Sequence, residues 1–361
     1  MAKSSRKPKS RKAPTKKRVP ATGGKKPIKA AVVGYGGAFN MGRAHLTLMK
    51  QAGMEPTAVV ELDPERLKIA EEDFPGIQTY TSVADMLKKS DAETVTIITP
   101  HNTHAKLAVQ CLKAGRHVVT EKPFAITTAE CDRMIAEAKK QQRVLSTYHN
   151  RHWDGWILKA VEQIVDKQAI GEVFRVECNM GGYGQPGDAW RSSKSISGGI
   201  LYDWGVHLLE YALQVVRDDI MEVSGFNHTG FWTTRWGKDT NEDEAEAVVR
   251  FRKGAWIRLN VSHLAAHRKQ ARVEFYGTKG AYLMDFDKYT LIQKRKDGTT
   301  LTTTTDNPPT DYGPFYNNVA DAIRGKAKLI ITPEWARRPI HILDLAGKSA
   351  ASGRAVRAKY A

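Results

Sequence analysis

The chain reads as an α/β protein: a doubly wound parallel sheet first, then an α+β region with a largely antiparallel, open sheet. Three observations predict this. Short apolar runs alternate with helical stretches from residue 28 to residue 149, and a glycine-rich turn separates the first run from the first helix. Beyond residue 170, several β-rich runs follow one another with no helical stretch between most of them.

Ile28–Val33 is the first apolar run, followed by the glycine turn and a helix near Arg43–Ala52. Thr57–Glu61 reads as the second strand, and Pro64–Asp73 as a helix with proline in its first turn. Ile77–Tyr80 is a third strand, with a helix around Val83–Lys89 after it. Thr94–Thr99 is β-branched, and the helix Thr103–Ala114 after it is closed by Gly115. His117–Thr120, a helix at Thr128–Gln141 and a strand at Val144–Tyr148 complete the series. Such alternation requires a parallel sheet with helices on both faces, a Rossmann domain over residues 28–149.

Residues 150–361 change period. Trp153–Val165 reads as a helix and Gly171–Met180 as a strand. The runs Glu246–Arg252, Ala255–Leu264, Arg272–Tyr276 and Ala281–Asp285 are β-rich, which indicates a mainly antiparallel sheet. Residues 276–280 form a turn between strands, and the threonine run 302–305 is an exposed β-edge or loop. Phe315–Gly325 and Pro333–Ser352 are helical, the second ending before Gly353. An open sheet with one free face favours a homo-oligomer, a dimer or a tetramer.

Composition removes several classes of function. The net charge of +17 points to nucleic acid until it is located: twelve Lys and Arg, and no acid, lie in residues 1–29. The body that remains carries a charge ordinary for an enzyme, about +5. Residues 1–27 are expected to be a disordered basic tail, with at most loose, non-specific contact with nucleic acid. No apolar run approaches the ~18 residues of a membrane span. Cys111, Cys131 and Cys178 are widely spaced and odd in number, which fits free thiols in a reducing cytoplasm.

The glycine turn departs from the usual G-x-G-x-x-G spacing. Gly34-Tyr35-Gly36 supplies the first two glycines, with Gly37 beside them, but Phe39 stands at the third position. A short insertion then places Gly42 in the role of close helix–strand packing. The first two glycines permit the tight turn and the approach of a pyrophosphate to backbone N–H groups at a helix start. Glu61 ends the second strand, where NAD enzymes place the acceptor of a ribose hydroxyl. A carboxylate there repels a 2′-phosphate, so NAD is expected over NADP.

Glu121-Lys122-Pro123 follows the fifth strand directly. Strand carboxyl ends face the crevice of a doubly wound sheet, so a cation there reaches both cofactor and substrate. The string AGRHVVTEKP resembles the Gfo/Idh/MocA dehydrogenases, a family that includes glucose–fructose oxidoreductase and inositol dehydrogenase. The resemblance runs from Ile28 to Tyr360. It implies that Thr99, Pro100 and Asn102 form the dinucleotide wall, and that Glu121 and Lys122 lie at the cofactor. It also implies that the helix Pro333–Ser352 packs back on the Rossmann domain. His101 and His104 stand three apart, but no acid or cysteine accompanies them nearby, so no metal site is expected.

Asp203 and His207, within Gly198-Gly199-Ile200-Leu201-Tyr202-Asp203-Trp204-Gly205-Val206-His207, fall four apart. On a helix they would share a face, with the carboxylate orienting an imidazole that titrates near neutrality. The resemblance makes this D-x-G-x-H spacing a catalytic dyad beside Lys122. Asn150, Arg151, Tyr183, Trp190 and Arg191 are the candidate substrate contacts. The expected activity is NAD(P)-dependent hydride transfer from a secondary hydroxyl of a sugar, inositol or related polyol. Two other readings share the scaffold: an NAD-dependent glycosidase with transient oxidation, and a regulator that senses sugar or cofactor without catalysis.

Overall fold

The computed structural model describes residues 26–267 and 269–360, so the basic tail lies outside it except for Lys26 and Pro27. The first layer is built from β1 (Ile28–Val33), α1 (Met41–Gln51), β2 (Met54–Val60), α2 (Pro64–Asp73), β3 (Gln78–Tyr80) and α3 (Val83–Lys89). It continues with β4 (Thr94–Ile97), α4 (His104–Lys113), β5 (His117–Thr120), α5 (Thr128–Gln141) and β6 (Leu145–Thr147). All six strands are parallel, in the order β3-β2-β1-β4-β5-β6. Strand order reverses between β1 and β4, and a dinucleotide binds outside the strand ends at such a switch. Ala30, Ala31 and Val32 are sealed on both faces, which explains why the first run is continuously apolar.

The second half holds α6 (Gly155–Val161), β7 (Val173–Gly181), α7 (Lys194–Ser197), α8 (Gly205–Val215) and β8 (Ile220–His228). The strands β9 (Glu244–Phe251), β10 (Trp256–Ser262), β11 (Val273–Gly277), β12 (Gly280–Met284), β13 (Lys288–Lys294) and β14 (Thr300–Asp306) follow. The helices α9 (Gly313–Ile323) and α10 (Pro333–Ser352) and the short strand β15 (Val356–Arg357) end the chain. Nine strands form one sheet in the order β14-β13-β12-β11-β7-β10-β9-β8-β15. Every pair is antiparallel except β7 with β10. The helix α8 is buried from Gly205 to Gln214, an all-round burial that marks it as a core helix.

Two features differ from the sequence expectation. The helix expected over Trp153–Val165 is broken into a 3₁₀ turn at Asn150–Trp153, the short α6, and a π turn at Glu162–Asp166. The break falls where Gly155 lies against the 308–309 backbone: a β-carbon there would stand 2.2 Å from the Pro308 carbonyl oxygen. Three strands, β8, β13 and β15, are not among those expected, while the threonine run 302–305, expected as an exposed β-edge or loop, is the edge strand β14. In β14 every residue is exposed, as suits the polar edge of a sheet.

The chain also returns to the first layer after leaving it. Phe315, Tyr316, Val319 and Ala320 of α9 share a core with Tyr35, Leu46 and Met49. The helix α10 is wedged between the two halves rather than lying on the Rossmann layer alone. Its Arg337 pairs with Asp132 of α5 at 2.9 Å, while Gly225 of β8 donates to Ser349 at 2.9 Å. All three cysteines are buried and free. Among the described residues, no helix is long and apolar enough to cross a membrane.

Candidate active site

At the mouth of the parallel sheet, the glycine turn is shaped by close approaches. Gly34 sits at φ 101°, and a β-carbon there would stand 2.4 Å from the Ile98 carbonyl oxygen. A β-carbon at Gly42 would meet the Tyr35 ring at 2.5 Å and the Gly34 oxygen at 2.9 Å, so α1 can approach β1 only with glycine at 42. At Gly36 nothing lies within 4 Å, which leaves that side open to a ligand backbone. Asn40, left-handed at φ 49°, leads into α1 without capping it through its side chain, so the helix amides stay available for an anion. The geometry fits a pyrophosphate.

Glu61 is held inside this loop. Its Oε2 accepts from the Tyr35 amide at 2.6 Å, and Oε1 accepts from the amides of Leu62 at 2.6 Å and Asp63 at 3.3 Å. A carboxylate has further lone pairs for a ribose hydroxyl. The Tyr35 side chain turns inward and donates to Asp73 at 2.7 Å, so only its backbone borders the turn. Arg66 donates to the Tyr35 oxygen at 2.9 Å and covers Gly37.

Thr99, Pro100 and Asn102, expected as a wall of the dinucleotide site, lie in the turn after β4. His104 ties this wall to the lysine loop, with Nε2 2.8 Å from the Thr99 oxygen and Nδ1 2.8 Å from the Pro123 oxygen. With both nitrogens taken, His104 has none free for a metal. No group of three or more metal-ligating side chains occurs among the described residues.

Glu121 continues β5, its amide bonding to the Ile97 oxygen at 2.7 Å. Its carboxylate meets His45 Nε2 at 3.0 Å, and His45 Nδ1 meets the Tyr316 hydroxyl at 2.6 Å. Burial raises the Glu121 carboxyl, but the His45 contact, the Lys122 charge and the Lys122 amide outweigh it and hold it below the usual range. The peptide bond between Lys122 and Pro123 is cis. The Lys122 ammonium donates to the Asp203 carboxylate and, at 3.2 Å, to the Asp203 carbonyl.

That pairing corrects the expected dyad. Asp203 lies in the turn between a 3₁₀ segment, Ile200–Tyr202, and α8, which begins at Gly205. The Asp203 carboxylate is bonded to Lys122 instead of to the His207 imidazole. Burial raises the Asp203 carboxyl, but Lys122, His101 and Arg191 outweigh this and hold it below the usual carboxylate range. Gly199 is needed for the turn: at φ 122°, a β-carbon would stand 2.8 Å from Glu242 Oε2.

His207 is 5% exposed, and its Nδ1 is buried without a partner. Burial, then the Lys122, Arg151 and His149 charges, push it well below the ordinary imidazole range. It is thus neutral at neutral pH, the form that accepts a proton. The Trp204 ring lies 5.6 Å from it, and the Arg151 guanidinium stands 5.0 Å from the Trp204 ring.

Other candidates divide into two groups. Asn150 opens the turn that carries Arg151, and Arg151 pairs with Asp154 at 3.2 Å. Trp190 lies 4.7 Å from His101, and Arg191 stacks on Trp190 at 4.4 Å and on Phe39 at 5.0 Å. The loop of the second half thus reaches the inserted glycine turn. Tyr183 stands apart: it is 60% exposed and packs on Phe231 and Trp232. It joins none of the side chains around Lys122. The sequence gives His149 and Phe39 no role in the site, and only tertiary packing brings them there.

Residues 28–149 match the model of an oxidoreductase family described as having an NAD-binding Rossmann fold. Residues 158–283 match the GFO/IDH/MocA C-terminal domain. The chain is 26% identical to a myo-inositol 2-dehydrogenase of Thermotoga maritima, over 73% of this chain and 77% of that protein. It is 32% identical to the uncharacterized oxidoreductase YdgJ of Escherichia coli, over 52% of this chain. That match spans about half the length of YdgJ, 53%. A crystal structure of an NAD-binding protein from Listeria innocua superposes with a TM-score of 0.78 at 28% identity, covering 92% of this chain and 97% of the other.

Proposed function

The chain belongs to the Gfo/Idh/MocA family of NAD-binding oxidoreductases, and on that footing we propose that it oxidises a secondary hydroxyl of a sugar, inositol or related polyol. One observation carries the reading. Lys122, at the carboxyl end of β5, is anchored on Asp203, and its charge reaches the neutral, buried His207. A cation and a base then stand together where strand ends face the dinucleotide crevice.

NAD, when bound, supplies the hydride acceptor. His207 takes the hydroxyl proton, a task for which a neutral imidazole is suited. Lys122 holds the alcohol oxygen and stabilises its partial alkoxide charge, as a preorganised cation does. Asp203 fixes the ammonium in place. Asn150, Arg151, Trp190 and Arg191 border the space left for the polyol. Residues 28–149 carry the cofactor, and residues 150–361 the substrate. The test is incubation with NAD and a panel of inositols, sugars and sugar acids, read as NADH absorbance. If no polyol yields NADH and no ketone consumes it, the reading falls.

Among the described residues, no helix covers the face of the nine-stranded sheet turned away from α8. Arg175 there lies between the rings of Trp256, 5.7 Å away, and Tyr276, 4.1 Å away, while Arg258 pairs with Glu246 at 2.6 Å. We propose self-association across this face. Sedimentation velocity at micromolar concentration checks it, and a monomer there removes it.

A further inference from the structure

Three buried ring nitrogens near Lys122 have no protein partner: Nδ1 of His207 and both nitrogens of His149. Buried polar atoms are ordinarily paired, so orphans in two histidines near one lysine call for a reason. His149 is 1% exposed and leaves β6 just before the turn Asn150–Trp153. That turn lies along α8 in a fixed register. His152 Nδ1 meets Glu210 Oε1 at 2.5 Å, and the Tyr211 hydroxyl donates to Asp154 at 2.6 Å. His149 stands three residues before His152, and His207 three before Glu210, so the same register carries both toward one end of the contact, and the His149 charge acts on His207. The line ends near the surface: the Glu210 side chain is 1% exposed and the His152 side chain 20%.

Oxidation of an alcohol by NAD releases one proton per turnover, and the sealed Nδ1 gives His207 no direct exit to solvent on that side. Resting on the oxidation proposed above, we propose that His149 relays this proton from His207 to the Glu210–His152 pair. The balance is complete with NAD as the only oxidant. Hydride leaves the carbinol carbon with its electron pair, and the hydroxyl O–H bond breaks as an N–H bond forms on His207. The Nδ1–H bond of that imidazolium then breaks as an N–H bond forms on His149, directly or across one water, the usual filling between buried polar atoms. His149 releases a proton from its other nitrogen to Glu210, and His152 passes one to solvent. Burial holds His149 at about 4; Glu210 and Glu121 favour its cation, while His152 and Lys122 oppose it. The proton therefore passes through His149 without resting there.

The test uses the full chain with NAD and a polyol that the wild type oxidises. His149→Ala should lower kcat about tenfold or more near pH 7, with the KM for NAD unchanged. Added imidazole, which fits the space vacated, and higher pH should each restore rate. His149→Phe should lose rate and gain nothing from imidazole, because the ring fills that space. Thermal melting and NAD titration show whether each variant is folded. A His149→Ala enzyme with wild-type kcat and pH profile overturns the relay. So does a loss that neither imidazole nor pH repairs, since that marks a packing role. Wild type in the same assay reports on the oxidation separately: no NADH from any polyol withdraws that reading and the relay with it. Turnover by wild type beside an unaffected His149→Ala removes the relay alone.

Discussion

Lys122 follows β5 and His207 lies on α8, in different halves of the chain, so each can be removed without rebuilding the other's element. Lys122→Ala and His207→Ala should each cut kcat/KM by roughly 10²-fold or more, the scale of lost acid–base help. The double variant should be little worse than the poorer single, because groups serving one transition state are not additive. Near-normal turnover by His207→Ala at every pH would end its assignment as the base. Asp203→Asn should act through Lys122, freeing the ammonium, and so lower kcat while leaving NAD affinity intact. The Glu61 carboxylate is pinned by three backbone amides, and in the proposed ribose role it would face a 2′-phosphate. NAD should therefore bind several-fold more tightly than NADP by fluorescence titration, and equal affinity would remove Glu61 from that role.

The elements that frame the site are fastened by local devices and by close backbone contact. The helix α5 starts with a full capping box: Thr127 accepts from the Glu130 amide while Glu130 accepts from the Thr127 amide. Thr127→Ala should lower unfolding free energy by about 1 kcal/mol in denaturant titration, without touching catalysis. Gly225 marks where α10 lies directly on β8, since a β-carbon would stand 2.0 Å from the Ala346 carbonyl oxygen. Gly225→Ala should cost more than the cap, about 1–3 kcal/mol, because a backbone contact has no side chain to move aside. A Tm equal to wild type would show that β8 and α10 can separate.

Across the protein, burial keeps several histidines neutral. His117, His149 and His341 are each pushed to about 4, and His101 to about 3. Below the unfolded imidazole value near 6.5 the unfolded chain binds protons that the native chain refuses, so stability falls as pH falls. This stability is complete above that value and is lost between it and about 4. For His149 alone the loss at pH 5 is on the order of 2 kcal/mol. The Tm should drop clearly between pH 7.5 and 5, and a flat profile would mean that these rings are protonated in the native state.

Much of this was written along the chain. Strand–helix alternation, the glycine turn, the Glu121-Lys122-Pro123 corner and the spacing of Asp203 and His207 are local patterns, and local patterns fix secondary structure and bring a motif to a strand end. Sequence could not say with whom Asp203 pairs. A spacing of four binds two residues only within one helix, and the helix begins after Asp203, so the carboxylate turned to an ammonium eighty-one residues away. Nor could it return α9 to the first layer, or lay the turn Asn150–Trp153 along α8. Those placements rest on contacts between segments far apart in sequence, decided by which buried surfaces fit one another, and a single chain read in order carries no record of that fit.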